Sequence, residues 1–256
     1  MKKAPSKRKH TSLENALRAL KSFSEEEPEL GVSELAEKLG LALSTTHRLL
    51  ATLAEEDFVV KNPATNKYTI GLSVLQLTNT VTEQIKIIKE SYPILKQLTE
   101  DTGESSHVGI LDGSQVIYLQ KVDGIYPVKL DSYLGKRNPI HCTSSGQIIL
   151  AFQPDHIVEE ILQPPLPTYT PFTLTNKHDI YEKLKKARQM GVVTSDQEFR
   201  HNIYSIGAPI YKDSRHVVAS INIAGPVKRI LPHKKYCIEK VLRASKELST
   251  IIQRRS

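Results

Sequence analysis

Two short amphipathic segments separated by a glycine turn constrain the fold more than any other feature of the chain. The first, residues 32–40, has Ser33 as a candidate helix N-cap and Gly40 as a candidate C-terminal stop. The second, residues 41–60, repeats its apolar residues at helical spacing after a polar start. The apolar residues of the two faces are Leu35, Ala36, Leu39, Leu49, Leu50 and Leu53. Two short helices joined by a tight turn predict a helix-turn-helix.

The polar beginning of the second segment distinguishes it from an ordinary core helix. At about 100° per residue, Ser44, Arg48 and Thr52 lie opposite the leucines. Thr45 and His47 lie on the flanks. A recognition helix reads base edges in the major groove with its N-terminal residues, where hydroxyls form hydrogen bonds and arginine pairs with guanine. A solvent-exposed face that begins with Ser44 as an ordinary N-cap fits the helix alone equally well.

The segment that follows predicts a β-hairpin. Two apolar runs, residues 58–61 and 67–70, flank the turn-rich sequence NPATN. A helix-turn-helix followed by a hairpin is a winged helix, whose wing contacts the DNA backbone or the minor groove. This order of elements favours double-stranded operator DNA as the partner. The residues expected at the DNA are Ser33, Ser44, Thr45, Thr46, His47, Arg48, Thr52, Lys61, Lys67 and Tyr68.

A further helix is predicted ahead of this pair. Thr11 and Glu14 have the spacing of a capping box. The expected core face of this helix consists of Leu13, Ala16, Leu17 and Leu20. The basic tail before it, residues 1–10, suits either a phosphate-seeking arm or a solubilising terminus.

Length and charge bound the function more loosely. The 256 residues are enough for two domains, and 39% hydrophobic and 25% charged residues are ordinary for a globular protein. The net charge of +7 favours an anionic partner, but residues 1–70 contain 11 basic and 10 acidic side chains. The overall charge therefore does not locate a nucleic-acid site.

Membrane and metal-binding classes are disfavoured. Since no apolar run approaches the roughly 18–20 residues that span a bilayer, we expect a cytoplasmic protein with no membrane partner. Cys142 and Cys237 lie far apart without the spacing of a zinc site, and the histidines show no metal-ligand spacing either. We therefore expect no disulfide framework, no metal and no cofactor.

The rest of the chain predicts a connector and a second domain. Helical periodicity through residues 72–102 predicts a linker helix and then a domain helix that ends at Gly103. A β-hairpin is expected around Asp112 and Gly113, with a third strand at 127–134. Further strands are expected at 193–195, 205–212 and 217–225, and helices near 146–153, 155–162, 178–190 and 233–253. A mainly antiparallel sheet covered by helices is an α+β, GAF-like, ligand-domain architecture.

A candidate ligand site lies in the sequence HCTSSGQIILAF, residues 141–152. An apolar helix is expected to begin near Gly146, directly after Thr143, Ser144 and Ser145. Hydroxyls and unpaired backbone N–H groups then converge where the helix dipole favours an anion, and a small carboxylate fits. A hydroxyl-rich N-cap without any ligand remains the alternative.

Five segments together resemble the IclR (isocitrate lyase regulator) family of bacterial transcription factors. They are SLENALRALKSF, residues 32–60, YTIGLSVLQL, HCTSSGQIILAF and GAPIYKDSRHVVASINIAGP. The resemblance implies a regulator, most consistent with a repressor, whose DNA binding is controlled by a small organic acid, and which forms homodimers or homotetramers. The expected parts are a basic tail (1–10), a winged helix-turn-helix domain (11–71), a linker helix (72–84) and an effector-binding and oligomerisation domain (85–256).

The resemblance also implies the remaining walls of the effector pocket. The full expected set is Thr143, Ser144, Ser145, Gly146, Ser195, Asp196, Ser205, Asn222 and Ala224. The family often has lysine where Gln147 stands, cysteine at Ser205, and serine at both Asn222 and Ala224. Because Ala224 offers no side-chain hydrogen bond, the identity of the effector cannot be transferred.

Two other classes of function compete with this interpretation. A hydrolase could use Cys142 and His141 with Asp131 or Asp196, but adjacent residues of a strand point to opposite faces. A protein-interaction module would usually present an apolar patch on its exposed helix, whereas this face is polar. Both readings are therefore less favoured than a DNA-binding regulator.

Overall fold

The structure, a computed structural model, describes residues 10–24, 26–126, 128, 130, 132–214 and 216–254. The chain divides into two compact units, one up to Gln84 and one from Ile85 onward. Of the predicted basic tail only His10 is described, and Asp131 also lies outside the described residues. Among the helices of the described part, none is long and apolar enough to cross a membrane.

The first unit is a three-helix winged helix followed by a fourth helix. Its elements are α1 (Ser12–Leu20), α2 (Val32–Leu39), α3 (Leu43–Glu55), β1 (Val59–Lys61), β2 (Tyr68–Ile70) and α4 (Ser73–Gln84). The strands β1 and β2 pair antiparallel, and an isolated bridge joins Leu30 to Tyr68. The core of this unit consists of Ala19, Leu30, Leu35, Leu39, Leu50, Leu53, Val59 and Tyr68. The helix-turn-helix and wing expected from the sequence are thus present.

The helix starts differ in part from the prediction. The capping box at α1 is confirmed, since Glu14 N donates to Thr11 Oγ1 at 3.2 Å and Thr11 N donates to Glu14 Oε2 at 2.6 Å. The predicted N-caps Ser33 and Ser44 are wrong, because the helices begin earlier, after Gly31 and Ala42. Both serines therefore lie in the first turn of their helices.

The buried face of α1 also differs from the prediction. Leu13 and Leu17 are 71% and 50% exposed, whereas Asn15 and Ala19 are buried. The smaller Asn15 and Ala19 form the side of α1 that lies within the unit, and Asn15 Oδ1 accepts a hydrogen bond from Arg18 Nη1 at 3.0 Å. The two exposed leucines leave an apolar surface on this unit.

The second unit is a six-stranded sheet with helices on both faces. Its elements are α5 (Lys86–Thr102), β3 (Ser105–Asp112), β4 (Gln115–Val122), β5 (Arg137–Pro139), α6 (Ser144–Ala151), α7 (Asp155–Ile161), α8 (Lys177–Met190), β6 (Val193–Asp196), β7 (Ile203–Tyr211), β8 (Val217–Pro226), α9 (Val227–Ile230), a 3-10 turn (Leu231–His233) and α10 (Lys234–Arg254). The strand order is β5-β4-β3-β8-β7-β6, and every pairing is antiparallel. The predicted α+β class with a mainly antiparallel sheet is confirmed.

One predicted strand is wrong. The described residues Val128, Leu130 and Ser132 lie outside strands, and the third strand of the meander is Arg137–Pro139 instead. Leu130 and Ser132 are buried although they pair with no strand. Leu130 and Ser132 are therefore buried as part of a loop and not through strand pairing.

The two faces of the sheet have different chemistry. Apolar residues of β7 and β8, such as Ile206 and Ile221, pack with α5 and α10 in the larger core. Since side chains alternate along a strand, residues one position away face α6, and these include His107, Ser205 and Asn222. Polar residues on a covered face indicate a cavity there and not another packed core.

Candidate functional site

The exposed side of α3 presents the expected polar surface. Ser44, Thr45, His47, Arg48 and Thr52 are all exposed. Thr52 Oγ1 donates to the backbone oxygen of Arg48 at 3.2 Å. This hydrogen bond involves the backbone of Arg48 and not its guanidinium group. The arrangement is a convex helix face with one fixed positive charge, three hydroxyls and an imidazole.

For two residues the predicted DNA contact is wrong, because their side chains are buried. Thr46 is fully buried, and its Oγ1 donates back to the carbonyl of Ala42 at 3.2 Å. Tyr68 is 4% exposed and belongs to the core of the first unit. Both side chains face inward, so they support the helix and the wing and do not contact a partner.

The wing and the start of α2 hold the other expected residues. Lys61 and Ser33 are exposed. Lys67 is half-buried and its Nζ lies 2.8 Å from Glu34 Oε1, which ties the wing to α2. Asn66 has a left-handed backbone with φ of 58°, and its N–H donates to Asn62 O at 2.9 Å, so the tip of the wing is a tight turn.

The second unit encloses a cavity at the start of α6. Thr143 caps this helix, since its Oγ1 accepts from Gly146 N at 3.2 Å and donates to Pro139 O at 2.8 Å. Ser144, the first residue of α6, is 1% exposed and lines the cavity. Its Oγ has no hydrogen-bond partner. A buried hydroxyl without a partner is costly, so Ser144 marks a place where a ligand atom would be stabilised.

The cavity collects six of the nine residues expected for the effector. These are Thr143, Ser144, Ser195, Ser205, Asn222 and Ala224. The other three lie beside it. Ser145 Oγ donates to Asn222 Oδ1 at 2.7 Å, and Asp196 is exposed at the end of β6, where its carboxylate accepts from Gln197 Nε2 at 3.2 Å. Gly146 packs on the neighbouring backbone, where an added Cβ would lie 2.3 Å from Ile140 O.

The rest of the cavity lining was not predicted from the sequence. The additional residues are His107, Tyr118, Leu130, Ser132, Asn138, Cys142, Phe199, Arg200 and Ile203. Four of the nine come from β3, β4 and the loop after β4, and three come from the loop between β6 and β7 and the start of β7, all far from α6 in sequence. The only local signal is a histidine within the apolar strand β3, and that pattern fits an ordinary core histidine as well.

A hydrogen-bonded chain runs along one side of the cavity. Asn222 Nδ2 lies 3.4 Å from His107 Nδ1, and His107 Nε2 lies 2.7 Å from Ser132 Oγ. Burial lowers the pKa of His107 to about 3. His107 is therefore a neutral imidazole that links β8 to the loop after β4.

A buried ion pair supports the opposite wall. Glu198 is 5% exposed and pairs with Lys183 of α8. Its Oε2 accepts from Gln147 Nε2 at 2.7 Å, and its backbone oxygen accepts from Thr173 Oγ1 at 2.6 Å. Burial lowers the pKa of Lys183, although Glu198 opposes that shift. Because Phe199 and Arg200 follow directly, this cluster fixes the loop that brings them to the cavity.

The geometry does not favour a cysteine nucleophile. Burial raises the pKa of the Cys142 thiol, whereas a reactive cysteine needs a lowered pKa. His141 Nε2 is hydrogen-bonded to Pro167 O at 3.0 Å. Asp196, the carboxylate suggested as its partner, is exposed at the end of β6, where it accepts a hydrogen bond from Gln197 Nε2. No group of three or more metal-ligating side chains occurs among the residues described.

A winged helix followed by an α+β unit with a polar cavity defines a ligand-responsive, DNA-binding transcriptional regulator. The family model for the "IclR helix-turn-helix domain" matches residues 12–63, and the model for "Bacterial transcriptional regulator IclR C-terminal" matches residues 79–250. The chain belongs to the IclR family.

Individual relatives agree with this assignment. The HTH-type transcriptional regulator XynR of Escherichia coli is 28% identical over 86% of this chain and 87% of that protein. The transcriptional repressor IclR of Escherichia coli is 28% identical over 89% of this chain and 84% of its own length. An IclR homolog of Microbacterium hydrocarbonoxydans, solved in complex with 4-hydroxybenzoate, has a TM-score of 0.85 at 21% identity and covers 96% of this chain and 100% of its own. At that identity the last comparison bears on the fold alone.

Proposed function

We propose that this regulator is a repressor that binds operator DNA through α3 and its wing, and that a small carboxylic acid in the α6 cavity controls that binding. The observation behind this proposal is the buried, unpartnered Ser144 hydroxyl at the N-terminus of a helix, inside a cavity also lined by Arg200. Repression is favoured because a full-length relative is a repressor by name. The proposed place of action is the cytoplasm, where bacterial chromosomes lie.

The proposed DNA contacts are seven exposed residues of the first unit and the half-buried Lys67 of the wing. The exposed residues are Ser33, Ser44, Thr45, His47, Arg48, Thr52 and Lys61. Arg48 is the residue suited to bidentate pairing with guanine, and the hydroxyls suit base edges or phosphates. The lysines of the wing suit the backbone, which positions the protein without reading sequence.

The proposed carboxylate site combines three features of the second unit. The first-turn N–H groups of α6 have no intrahelical acceptors and the helix dipole favours an anion there. Ser144 adds an unpartnered hydroxyl, and Arg200 adds a positive charge on the cavity wall. The control of DNA binding follows if the acid binds one conformational state better and shifts the population toward it.

Replacing Arg48 by alanine tests the DNA interface. Since a bidentate arginine contact contributes about 1–3 kcal/mol of discrimination, we expect Arg48→Ala to weaken operator binding by roughly tenfold or more. Fluorescence anisotropy with DNA from upstream of the gene, titrated with salt, measures the change. Lys246→Ala, which removes one exposed positive charge from α10, is the control and should bind operator as the unmodified protein does. Equal operator affinity in Arg48→Ala would remove this residue from the interface.

We also propose that the protein acts as a homodimer or a homotetramer. A single recognition helix reads only a few base pairs, and paired half-sites are bound by symmetric assemblies. The first unit exposes apolar side chains that water does not favour. They are Leu13 and Leu17 of α1, Leu72 before α4, and Leu75, Leu77 and Val81 of α4. A second copy of the chain is the proposed cover for these side chains.

Charged residues on α4 test that assembly. Leu77 and Val81 lie one turn apart and are 56% and 51% exposed, so glutamates at both sites should not disturb the monomer but should repel a second copy. We expect Leu77→Glu/Val81→Glu to lower the mass measured by light scattering and to weaken operator binding. The matched control, Gln76→Glu/Thr80→Glu, adds the same charges on the neighbouring face of the same helix. If both variants keep the mass of the unmodified protein, the α4 surface is not the interface.

A further inference from the structure

The cavity at the start of α6 is closed in this structure. It encloses about 40 Å³, whereas ligand pockets in proteins have volumes of roughly 300–1,000 Å³. A molecule of more than a few atoms therefore enters only if part of the lining moves. The burial of the lining residues shows which part separates the cavity from solvent.

The exposed part of the lining lies in one stretch of the chain. Of the fifteen described residues that line the cavity, eleven are at most 8% exposed. The four partly exposed ones are Phe199, Arg200, Ile203 and Ser205. Ile203 and Ser205 belong to β7 and are fixed by strand pairing, whereas Phe199 and Arg200 lie in the loop between β6 and β7. This access loop, residues 197–202, is therefore the part of the lining that meets solvent outside the sheet.

A second loop covers the access loop from outside. Thr170 Oγ1 donates to Gln197 O at 2.7 Å. Thr173 Oγ1 donates to Glu198 O at 2.6 Å. These hydrogen bonds fasten the start of the access loop to residues 167–173, the outer loop. Movement is thus left to the part of the access loop that follows them.

A pair of aromatic rings forms a further contact between the two loops. The ring centroids of Phe199 and Tyr169 are 5.0 Å apart, with an angle of 72° between the ring planes. Phe199 lines the cavity, whereas Tyr169 is 45% exposed. The two rings therefore form a layer between the cavity and solvent. Since ring contacts of this kind are weaker than strand pairing, the rings can separate while the sheet stays intact.

We propose that ligands enter the cavity past Phe199, and that the contact between Phe199 and Tyr169 closes this route. The inference rests on the proposed function only in taking this cavity as the ligand site. Opening exposes the cavity to solvent without unfolding the second unit. The described part of the loop after β4 offers no comparable route, since Leu130 and Ser132 are 6% and 4% exposed.

The two cysteines of the chain report such an opening without any ligand. Cys142 lines the cavity, and Cys237 lies in the core of α5, α10 and the sheet. Burial raises the pKa of both thiols, so each reacts slowly until solvent reaches it. Labelling of the full-length protein with iodoacetamide, followed by mass spectrometry of its peptides, measures the two rates separately. Selective labelling of Cys142 reports access to the cavity, whereas labelling of both reports unfolding of the unit.

Removal of either ring should open the route. We expect Phe199→Ala to raise the labelling rate of Cys142 at least about tenfold and to leave that of Cys237 unchanged. Tyr169→Ala should show the same selectivity with a smaller effect, since Phe199 stays in place. The matched control is Phe172→Ala, which removes a 51% exposed ring of the same outer loop that packs against the exposed His201. It should be labelled as the unmodified protein is.

The outcomes decide the proposal in each case. An unchanged rate for Cys142 in Phe199→Ala would overturn it. If Phe199→Ala labels both cysteines faster, Tyr169→Ala decides, because that ring is half exposed and its loss should not unfold the unit. Selective labelling of Cys142 in Tyr169→Ala then supports the route, and its absence contradicts it. An equal gain in Phe172→Ala would also contradict the route, because the effect would not be specific to this ring pair.

The proposed carboxylate site is judged by a separate measurement. Calorimetric titration of the unmodified protein with acetate, propanoate and butanoate tests whether a small acid binds. If none of these acids binds, the carboxylate proposal fails, whereas the labelling rates still decide whether the cavity opens past Phe199. If an acid binds but Cys142 is labelled no faster in the variants, the carboxylate site stands and the route fails.

Discussion

Glu198→Ala is expected to lower the free energy of unfolding of the second unit by about 3–5 kcal/mol, because it leaves the ammonium of Lys183 buried without its partner. The carboxylate is 5% exposed and also accepts a hydrogen bond from Gln147, so the loss affects α6 as well as α8. Urea unfolding followed by circular dichroism measures the change. The same variant should weaken acid binding, because Phe199 and Arg200 follow Glu198 and would lose their fixed position at the cavity.

A double variant distinguishes a broken ion pair from a general loss of packing. Glu198→Gln/Lys183→Met removes both charges, keeps similar volumes and should recover most of the stability that Glu198→Ala loses. The control for an exposed pair is Asp112→Ala, since Asp112 and Arg137 form an ion pair whose side chains are about half exposed, and surface pairs contribute little. A double variant as unstable as Glu198→Ala would show that the charges are not the cause.

The winged helix could be predicted because its determinants are local in sequence. Gly40 ends α2 in a left-handed conformation with φ of 67°, and the leucines of α3 define its buried side within a few turns. Helical spacing of apolar residues does not show whether the apolar face they form is buried within the same unit. Leu13 and Leu17 are at core spacing in α1 but remain exposed, and the surface they form on the first unit is where we propose a second copy of the chain.

The cavity could be predicted only in part, because most of it depends on strand register. Thr143 and Ser144 were found from local cues, namely hydroxyls that precede an apolar helix. His107 and Asn222 are 115 residues apart and meet because β3 and β8 pair in one register. Ser132 reaches His107 from a loop whose apolar alternation had predicted a strand. Spacing within a segment contains no information about these contacts.

Leu50→Ala is expected to weaken operator binding while leaving acid binding in place. Leu50 is fully buried in the core of the first unit, and deletion of such a side chain costs about 2–5 kcal/mol. A unit of this size has a total stability of only roughly 4–11 kcal/mol. At the lower end of that range such a loss leaves the first unit partly unfolded, so α3 presents Arg48 in only a fraction of the molecules.

The response of the second unit makes this variant informative. Its core consists of α5, α10 and the strands, none of which includes Leu50. If the two units fold independently, as we propose, Leu50→Ala should lower only one of two thermal transitions and leave the calorimetric affinity for the acid unchanged. Leu43→Ala, an exposed leucine of the same helix, should change neither transition. Parallel loss of both transitions would instead mean that the ligand domain needs the winged helix in order to fold, and the regulator would then be one cooperative unit.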